Sequence, residues 1–432
     1  MSSKWPVVTL SDVLSTIIDY RGKTPPKSET GIAVLTAASV KDGRVLKDKV
    51  SYISQETYEK VTTRGFPQKG DVLITTEAPV GEVAPFPVDK TYHITRRIMA
   101  LRGNKGIVDS NFLLYVLLGP HNQSQLAACT RGSTVPRVLK TDITGLEFPL
   151  PPLTVQRQIG GFLAAIDAKI SLNSQANQTL EEMAQAIFKS WFVDFEPVKA
   201  KMNGEQPEGM DAATASLFPE KLVESELGLI PEGWEAGELS DLMDFNPKRT
   251  LKKGTVAPYL DMKNMPTAGH LALDIYDREM GSGTKFINGD ALLARITPCL
   301  ENGKSAYVDF LEDEQVGWGS TEYIVMRSKS DSYKYFSYFM ARFEPFRKFA
   351  IQSMTGTSGR QRAQAKTVQT MPFVIPPLSI LEKFDELIAA NMKLIKRHGD
   401  ENKTLAGLRD TLLPKLLSGE IELDIAEVNL ND

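Results

Sequence analysis

The sequence predicts an α+β protein in which one plan occurs twice: two similar α/β globules, each followed by a long coiled-coil helix, in a pseudo-twofold internal repeat. Pro151-Pro152-Leu153 recurs as Pro376-Pro377-Leu378, and both copies open a stretch with apolar residues at heptad spacing. Upstream of each copy, short β-type runs such as residues 71–76 and 322–327 are punctuated by Gly and Pro. Heptad spacing indicates a coiled-coil seam, and short runs between breakers indicate strands.

The two globules carry matching short motifs. Residues 5–12 recur as 234–241, Gly70-Asp71-Val72-Leu73 recurs as Gly289-Asp290-Ala291-Leu292, and Arg131-Gly132-Ser133-Thr134-Val135-Pro136-Arg137 recurs loosely as Gly356-Thr357-Ser358-Gly359-Arg360-Gln361-Arg362. Because self-similarity along a chain indicates repeated structural units, we expect the two globules to be built alike.

The repeat sets the expected domain boundaries. In chain order these are a first globule at 1–150, a helical spacer at 151–198, a linker at 199–230, a second globule at 231–375, a second helical spacer at 376–418 and a tail at 419–432. The linker is placed where Pro, Gly and acidic residues accumulate without periodicity, which suits a surface crossing segment.

Polar residues interrupt both predicted seams near their middle. Asn173 and Asn177 fall in the first seam, and Asn391, His398 and Asn402 fall in the second. Isolated polar residues in a coiled-coil seam can fix the register and orientation of the helices.

Composition argues against several classes of protein. No apolar run is long enough to span a bilayer and no signal-peptide pattern is present, so we expect a cytoplasmic protein without membrane association. Cys129 and Cys299 stand apart from each other and from any His at metal-ligand spacing, which argues against disulfides and zinc. The net charge of -4 argues mildly against a nucleic-acid partner, but residues 1–150 carry 19 Lys and Arg against 14 Asp and Glu.

No motif for catalysis or for a cofactor stands out. Gly22-Lys23-Thr24 and Gly303-Lys304-Ser305 end like a phosphate loop, but each lacks the leading glycine. Glu401-Asn402-Lys403 has the spacing of a nuclease motif, yet it falls on a predicted helix without an obvious acidic partner. The histidines form no triad or metal pattern, and no glycine-rich loop suits S-adenosylmethionine. We therefore expect no catalytic residue, metal site or cofactor in this chain.

The recurring Gly-Ser-Thr loop is the strongest candidate for contact with double-stranded DNA. Two globules can address two stretches of duplex, and globules that differ in sequence should read different half-sites. Arginines suit guanine edges and phosphates, hydroxyls suit phosphates, and glycine permits close approach of the backbone. The candidates are Arg131, Ser133, Thr134, Arg137 and Lys140 in the first half and Thr357, Ser358, Arg360, Arg362 and Lys366 in the second. The alternative is a turn or helix cap with solvated arginines, and recurrence in both halves favours the functional interpretation.

Further clusters are candidates for DNA or protein partners. Basic residues that could track phosphates are Arg96, Arg97, Lys248, Arg249 and Lys285, although charge runs are usually solvated faces. Trp191, Phe192 and Phe195 end the first long helix, where they either close a core or dock a partner. Leu412 and Leu416 are the partner-binding candidates on the second helix.

Longer stretches resemble one protein family. Residues 177–197, which include Ser190-Trp191-Phe192-Val193-Asp194-Phe195-Glu196-Pro197, resemble the central conserved region of type I restriction-modification specificity subunits. Residues 149–158, 289–304, 318–325 and 412–421 support the resemblance, and together these stretches span nearly the whole chain.

The resemblance implies two target recognition domains, each reading half of a split, asymmetric DNA site, with two conserved helices that pair antiparallel as a molecular ruler. It also implies that the helices bind two modification subunits, which carry S-adenosylmethionine and methylate adenine. Restriction subunits would join them to translocate and cleave DNA with ATP and Mg. None of that chemistry is expected in this chain.

The second half departs from the first in two places. Its loop lacks a proline equivalent to Pro136, and Gly399 weakens the second long helix, where we expect a kink. Three other hypotheses stay open: a stand-alone bipartite DNA-binding regulator, a scaffold whose helices serve only protein assembly, and a nuclease with a scattered site. A basic face on both globules would count against a pure scaffold.

Overall fold

The computed structural model describes residues 4–20, 22, 24–357 and 359–423, and the chain divides into two compact units. Met1–Ser171 and Asn402–Asp432 form the first unit, and Leu172–Glu401 form the second. Each unit thus contains one globule and one part of each long helix. Ser358 and residues 424–432 of the predicted tail lie outside the described residues.

The first globule is a mixed α/β structure. Its strands are β1 (Val7–Thr9), β2 (Leu14–Asp19), β3 (Ile32–Leu35), β4 (Val40–Lys41), β5 (Arg44–Val45), β6 (Ser51–Ile53), β7 (Val72–Thr76), β8 (Val80–Pro85), β9 (Tyr92–Ile94), β10 (Ile98–Gly103) and β11 (Glu147–Pro149). Its helices are α1 (Leu10–Val13), α2 (Gln55–Val61), α3 (Ser110–Leu118), α4 (Pro120–Cys129) and α5 (Lys140–Thr144).

The central sheet of the first globule is antiparallel, in the order β2-β10-β7-β8. A second sheet has the order β6-β3-β9, with β3 and β9 parallel, and β1 pairs with β11. All five side chains of β7 are buried, as expected for a strand covered on both faces. Because side chains alternate along a strand, Val72 and Ile74 pack with Phe112 of α3, whereas Leu73 packs with Leu35 of the second sheet.

The second half of the chain contains the long helices and the second globule. Its strands are β12 (Leu222–Ser225), β13 (Gly228–Pro231), β14 (Glu235–Glu238), β15 (Met243–Phe245), β16 (Val256–Leu260), β17 (Tyr276–Glu279), β18 (Thr284–Phe286), β19 (Ala291–Ala294), β20 (Ser305–Tyr307), β21 (Gly317–Gly319), β22 (Tyr323–Ser328) and β23 (Pro372–Ile375). The helices are α6 (Leu153–Lys189), α7 (Glu196–Met202), α8 (Ala212–Ser216), α9 (Leu239–Leu242), α10 (Phe336–Arg342), α11 (Glu344–Gln352), α12 (Ala365–Val368) and α13 (Leu378–Ser418).

The second globule repeats the topology of the first. Its central sheet has the order β15-β22-β19-β20, its second sheet has the order β17-β16-β21-β18 with β16 and β21 parallel, and β14 pairs with β23. Only β18 lacks a counterpart in the three-stranded sheet of the first globule. The predicted α+β class, the two similar globules and the two long helices are confirmed.

The helices α6 and α13 run antiparallel within each unit. In the first unit, Ile159 and Leu163 share a core with Leu413 and Leu416. In the second unit, Phe188 meets Phe384 edge to face, with ring centroids 5.9 Å apart, and Asn177 lies 2.8 Å from His398. Within that unit, residue numbers therefore rise along α6 while they fall along α13. None of the described helices is both long and apolar enough to cross a membrane.

Three of the five polar seam residues, Asn173, Asn177 and His398, form hydrogen bonds between α6 and α13 in the second unit. Asn177 Oδ1 lies 2.8 Å from His398 Nδ1, and the Asn177 amide donates to the carbonyl of Ile395 at 3.2 Å. The Asn173 amide donates to Glu401 at 2.8 Å. Such bonds between polar seam residues favour one register of the two helices.

Gly399 does not interrupt α13, which is helical over 41 residues. A Cβ atom at position 399 would lie 2.7 Å from Cδ1 of Leu271 in the same unit. The glycine therefore makes room for a side chain of the globule against the helix, and the helix is not broken there.

The segment predicted as a linker contains regular structure. Residues 199–230 include the end of α7, α8 and the antiparallel hairpin formed by β12 and β13. Phe218 and Ile230 belong to the core of the second unit. Much of this segment is therefore anchored on the second globule.

Candidate nucleic-acid interface

Residues 131–137 form a narrow, exposed loop at one end of the first central sheet. The backbone amides of Arg131 and Arg137 each donate to the other residue's carbonyl, both at 2.9 Å. The amide of Val138 donates to the carbonyl of Thr76 at 3.0 Å, which ties the loop to the end of β7. Two backbone hydrogen bonds close the base of the loop, and the residues at its tip remain accessible to a binding partner.

The first residue inside the closed base must be glycine. Gly132 has a φ of 93°, in the left-handed region, and a Cβ atom there would lie 2.7 Å from the carbonyl oxygen of Val135. Any other residue would strain the backbone and clash with the loop. The glycine of the recurring motif is thus explained by the closure of the loop.

The first loop is surrounded by charged side chains from three segments. Arg131 forms a bidentate pair with Asp142 of α5, at 2.6 and 3.0 Å, and lowers the pKa of that carboxyl. Arg97 pairs with Glu77 at 3.1 Å, and Glu77 forms a backbone bridge with Arg137. The structure thus brings the Arg96-Arg97 cluster to the same end of the sheet as the loop.

Arg137 is the projecting arginine of the first loop. Its side chain is exposed, and among the described residues it has no ion-pair partner. Ser133 and Thr134 at the tip are exposed as well, and Lys140 lies half-buried at the start of α5. The guanidinium of Arg137 and the hydroxyls of Ser133 and Thr134 are therefore all exposed to solvent on the same loop.

The second loop has the same construction. The amides of Thr355 and Arg362 donate to each other's carbonyls, at 3.1 and 2.9 Å. The amide of Ala363 donates to the carbonyl of Arg295, one residue beyond β19, at 2.8 Å. Gly356 has a φ of 125°, and a Cβ atom there would lie 3.1 Å from the carbonyl oxygen of Arg360.

The charge partners of the second loop are different. Arg362 forms two bonds to Glu322, from Nε at 2.9 Å and from Nη2 at 2.8 Å. Arg295 donates to Gln364 at 3.1 Å. Arg360 is exposed and has no ion pair within the described part of the chain, and Thr357 is exposed beside it. Lys366 is exposed on α12.

Arg295 and the carboxylates Glu77, Asp142 and Glu322 were not predicted from the sequence. Arg295 directly follows the recurring strand that begins after Gly289-Asp290, so its position carried a usable signal. The carboxylates gave no local signal, because each meets its arginine through strand pairing and loop closure between distant segments.

Both loop ends are positively charged although the chain is acidic overall. The first end combines Arg96, Arg97, Arg131, Arg137 and Lys140 with the carboxylates Glu77 and Asp142. The second end combines Arg295, Arg360, Arg362 and Lys366 with the carboxylate Glu322. Each set has a surplus of three positive charges, against a net charge of -4 for the whole chain. Concentrated positive charge is what a phosphate backbone attracts.

Two predicted DNA contacts, Lys248 and Arg249, lie away from the second loop. Arg249 pairs with Asp290 at 3.1 Å, and Arg327 pairs with the same carboxylate at 3.3 Å. Asp290 is fully buried at the start of β19, the opposite end of the strand from Arg295. The prediction for Arg249 is corrected, because its guanidinium neutralises a buried carboxylate. Lys248 is exposed beside it, and Lys285 is half-buried on β18.

The aromatic residues that follow α6, in and after a π-helical turn at Ser190–Asp194, belong to a core and not to a docking surface. Trp191, Phe192 and Phe195 are 4%, 1% and 8% exposed. Phe192 lies 5.1 Å from Phe384 of α13 and 5.3 Å from Phe336 of α10, between ring centroids. The prediction of partner binding by these three residues is wrong, because they have almost no surface to offer.

The two leucines predicted on α13 are also packed inward. Leu416 is fully buried in the core of the first unit, and Leu412 is half-buried against that core. The prediction of a partner contact is therefore wrong for Leu416, and only part of Leu412 reaches the surface.

No group of metal-ligating side chains is found among the described residues. The side chains brought together at the loop ends are cations, hydroxyls and the carboxylates that orient them. This arrangement can bind an anion and donate hydrogen bonds to bases.

Comparisons with known proteins show a family likeness in both halves of the chain. A family model described as the type I restriction modification DNA specificity domain matches residues 2–182 and 231–402, one stretch in each half. The HindI specificity subunit of Haemophilus influenzae is 26% identical over 418 residues, covering 82% of this chain and 87% of that protein. The MjaIX specificity subunit of Methanocaldococcus jannaschii is 25% identical over 385 residues, covering 86% and 82%.

A solved structure supports the fold. The S subunit of a type I restriction-modification system from M. genitalium superposes with a TM-score of 0.57 over 96% of both chains, at 15% identity. The duplicated topology and the twofold match of the family model lead to one assignment: the chain belongs to the family of type I restriction-modification specificity subunits.

Proposed function

We propose that this chain is the DNA-reading subunit of a type I restriction-modification complex, and that each globule reads one half of a bipartite, asymmetric site. The observation that carries the proposal is the recurrence of an exposed, glycine-closed loop with a projecting arginine at the same place in both globules. Arg137 would read bases in one half-site and Arg360 in the other. The hydroxyls of Ser133, Thr134 and Thr357 would bind phosphates.

The remaining basic residues would hold the phosphate backbone. Arg96, Arg97, Lys140 and Lys366 flank the loops, and phosphate contacts position a protein on DNA without reading its sequence. Because the loops differ in sequence and length, the two half-sites are expected to differ. The long helices would then set the spacing between the half-sites.

The chain would act through partners in the cytoplasm. Two modification subunits would supply S-adenosylmethionine and adenine methylation, and restriction subunits would supply ATP- and Mg-dependent translocation and cleavage. This chain would contribute recognition and no catalytic group.

The same residues argue against one alternative function and are equally compatible with another. A pure protein-assembly scaffold has no need of a positive surplus on both globules. A stand-alone DNA-binding regulator would use the loops, but it would act without a methyltransferase partner. If DNA methylation depends on this chain, the proposed function is distinguished from both alternatives.

The test is to map adenine methylation in cells that express a modification subunit of the same restriction-modification system, with and without the chain. We expect methylation at one split motif only when the chain is present. A change at Arg137 should relax one half of that motif and leave the other half intact. Methylation that is unchanged when the chain is removed would overturn the proposal.

A further inference from the structure

Equivalent turns of the two central sheets differ in length. Three residues, 77–79, connect β7 to β8 in the first globule, whereas ten residues, 295–304, connect β19 to β20 in the second. We call the longer one the β19–β20 turn. Both turns leave the sheet at the end that carries the arginine loop, since the carbonyls of Thr76 and Arg295 accept the bonds that hold the two loops. The second loop therefore has an additional element beside it.

The β19–β20 turn is joined to the second loop through the backbone. The amide of Thr297 donates to the carbonyl of Gln361 at 3.1 Å. Ile296 forms a backbone bridge with Arg362. Turn and loop therefore emerge side by side from the sheet, and a molecule bound by one lies within reach of the other.

The turn is held from beneath. Leu300 is fully buried in the core of the second unit. The guanidinium of Arg342 donates to the carbonyl of Gly303 at 2.9 Å, and the ammonium of Lys304 donates to the carbonyl of Met262 at 2.6 Å. A segment that is already ordered loses little conformational entropy when it binds a ligand, so this turn is preorganised for contact.

Two polar side chains of the turn are exposed and unused. Within the described part of the chain, the side chains of Glu301 and Asn302 form no hydrogen bond and no ion pair. The amide of Asn302 donates to the carbonyl of Pro298 at 2.9 Å, so the backbone that carries them is fixed. Their acceptor and donor atoms are therefore available to a partner.

The shorter turn of the first globule offers no such groups. Its exposed residues are Ala78 and Pro79, and its Glu77 is half-buried in the ion pair with Arg97. The two globules thus differ in the chemistry that they present beside their arginine loops.

The exposed groups of the β19–β20 turn suit bases better than phosphates. The carboxylate of Glu301 is repelled by phosphate, but it can accept a hydrogen bond from the N4 amino group of cytosine. The amide of Asn302 matches the N6 and N7 atoms of adenine with two hydrogen bonds. The loop beside them supplies the positive charge that attracts the duplex, so these two side chains are left to read its edges.

We propose that the β19–β20 turn is a second base-reading element of the second globule, in which Asn302 reads an adenine and Glu301 reads a cytosine of the same half-site. The inference deepens the proposed function and rests on it. It predicts that the second half-site is specified at base pairs beyond the one that Arg360 reads. Residues 77–79 make no matching contribution to the first half-site.

The experiment maps the methylated motif of the full chain, expressed with a modification subunit of the same restriction-modification system. Asn302→Ala should reduce discrimination at one base pair about 5- to 150-fold, and Glu301→Ala should do so at another. Both positions should fall in the half of the motif that Arg360→Ala relaxes, but at base pairs other than the one that Arg360→Ala affects. The other half of the motif should keep its sequence.

Two matched controls and one isosteric variant sharpen the test. Asn203→Ala and Glu208→Ala change exposed residues of the same unit in the segment after α7, and we expect neither to alter the motif. Asn302→Asp keeps the size of the side chain but replaces its donor by an acceptor, so the preference for adenine should be lost. Because Asn302 and Glu301 are exposed, the unfolding midpoints of these variants should equal that of the parent.

The outcomes separate this proposal from the proposed function. If Asn302→Ala and Glu301→Ala leave the motif unchanged, or weaken methylation equally at all sequences, the turn reads no bases and the proposal is overturned. Relaxation of the half that Arg137→Ala affects would overturn it as well. In each of these cases the proposed function stands as long as methylation still requires the chain. If methylation never depends on the chain, the proposed function itself fails.

Discussion

The two globules share one topology but carry opposite charges at an equivalent position. The residue before β10 is Arg97, which pairs with Glu77, whereas the residue before β22 is Glu322, which pairs with Arg362. Each loop has one arginine fixed at its base, Arg131 by Asp142 in the first and Arg362 by Glu322 in the second. The fold thus determines where an arginine-bearing loop emerges, and the charge partners around it are free to vary between copies.

The buried histidines of the two globules also differ in charge. His93 of the first globule is 2% exposed and stacked on Tyr20 at 4.8 Å, and burial lowers its pKa to about 4. His270 of the second globule is fully buried, 3.2 Å from Asp309 and 3.8 Å from Glu181. Burial alone would lower its pKa, but these two carboxylates raise it to about 9. One buried histidine is therefore neutral at pH 7 and the other is charged.

The largest expected effect comes from breaking the charged set in the second unit. His270→Gln leaves Glu181, which is 4% exposed, without its counter-charge, and such a loss costs about 3–5 kcal/mol of unfolding free energy. His93→Gln should cost less, about 1–3 kcal/mol, because no buried charge is left unpaired. The measurement is urea unfolding at pH 7, with exposed His121→Gln as the control. Equal costs for the two buried histidines would mean that the charges at His270 contribute nothing.

The same pair predicts opposite dependences of stability on pH. The pKa of His270 rises from 6.5 in the unfolded chain to about 9, so its contribution is complete below 6.5 and is lost as pH rises through about 9. The pKa of His93 falls from 6.5 to about 4, so its contribution is complete above 6.5 and is lost as pH falls towards 4. Each shift corresponds to roughly 3 kcal/mol at most.

Unfolding free energies should be measured between pH 4.5 and 9.5, about the range in which these histidines titrate. The curve should show an alkaline limb, where stability falls as pH rises, and an acidic limb, where stability falls as pH falls. His270→Gln is expected to flatten the alkaline limb and His93→Gln the acidic limb. If His270→Gln flattened the acidic limb instead, the assignment of a charged His270 would be wrong.

The projecting arginines test whether the two loops read separate half-sites. Arg137→Ala and Arg360→Ala should each remove a base contact worth about 1–3 kcal/mol, or about 5- to 150-fold in discrimination. Each loss should fall on one half of the methylated motif only. Lys248→Ala is the control, because that exposed lysine lies away from the loop end. Equal losses at all DNA sequences would reassign these arginines to phosphate contacts.

Local patterns predicted much of this architecture. The internal repeat, both long helices, the polar seam and the two loops were readable because they depend on periodicity and on short recurring motifs. The burial and the charge partners of single residues could not be predicted from such local patterns. Trp191 is a core residue because it packs against Phe384, which lies almost two hundred positions later in the chain. Arg249 is an internal counter-ion because it pairs with Asp290, which is buried at the start of a strand. Burial and charge pairing arise from contacts between distant segments, which no local pattern contains.

The smallest expected effect sharpens the charge comparison directly. Glu322→Gln releases Arg362 from its carboxylate, so that arginine can add one phosphate contact and steepen the salt dependence of DNA binding by about one unit in log affinity against log salt. Stability should change little, because an ion pair with a solvent-exposed guanidinium contributes little to folding. Glu344→Gln, which breaks the exposed pair with Lys348 on α11, is the control and should leave the salt dependence unchanged. An unchanged slope for Glu322→Gln would indicate that Arg362 has no access to phosphate, and that only Arg360 of the second loop projects towards DNA as Arg137 does in the first.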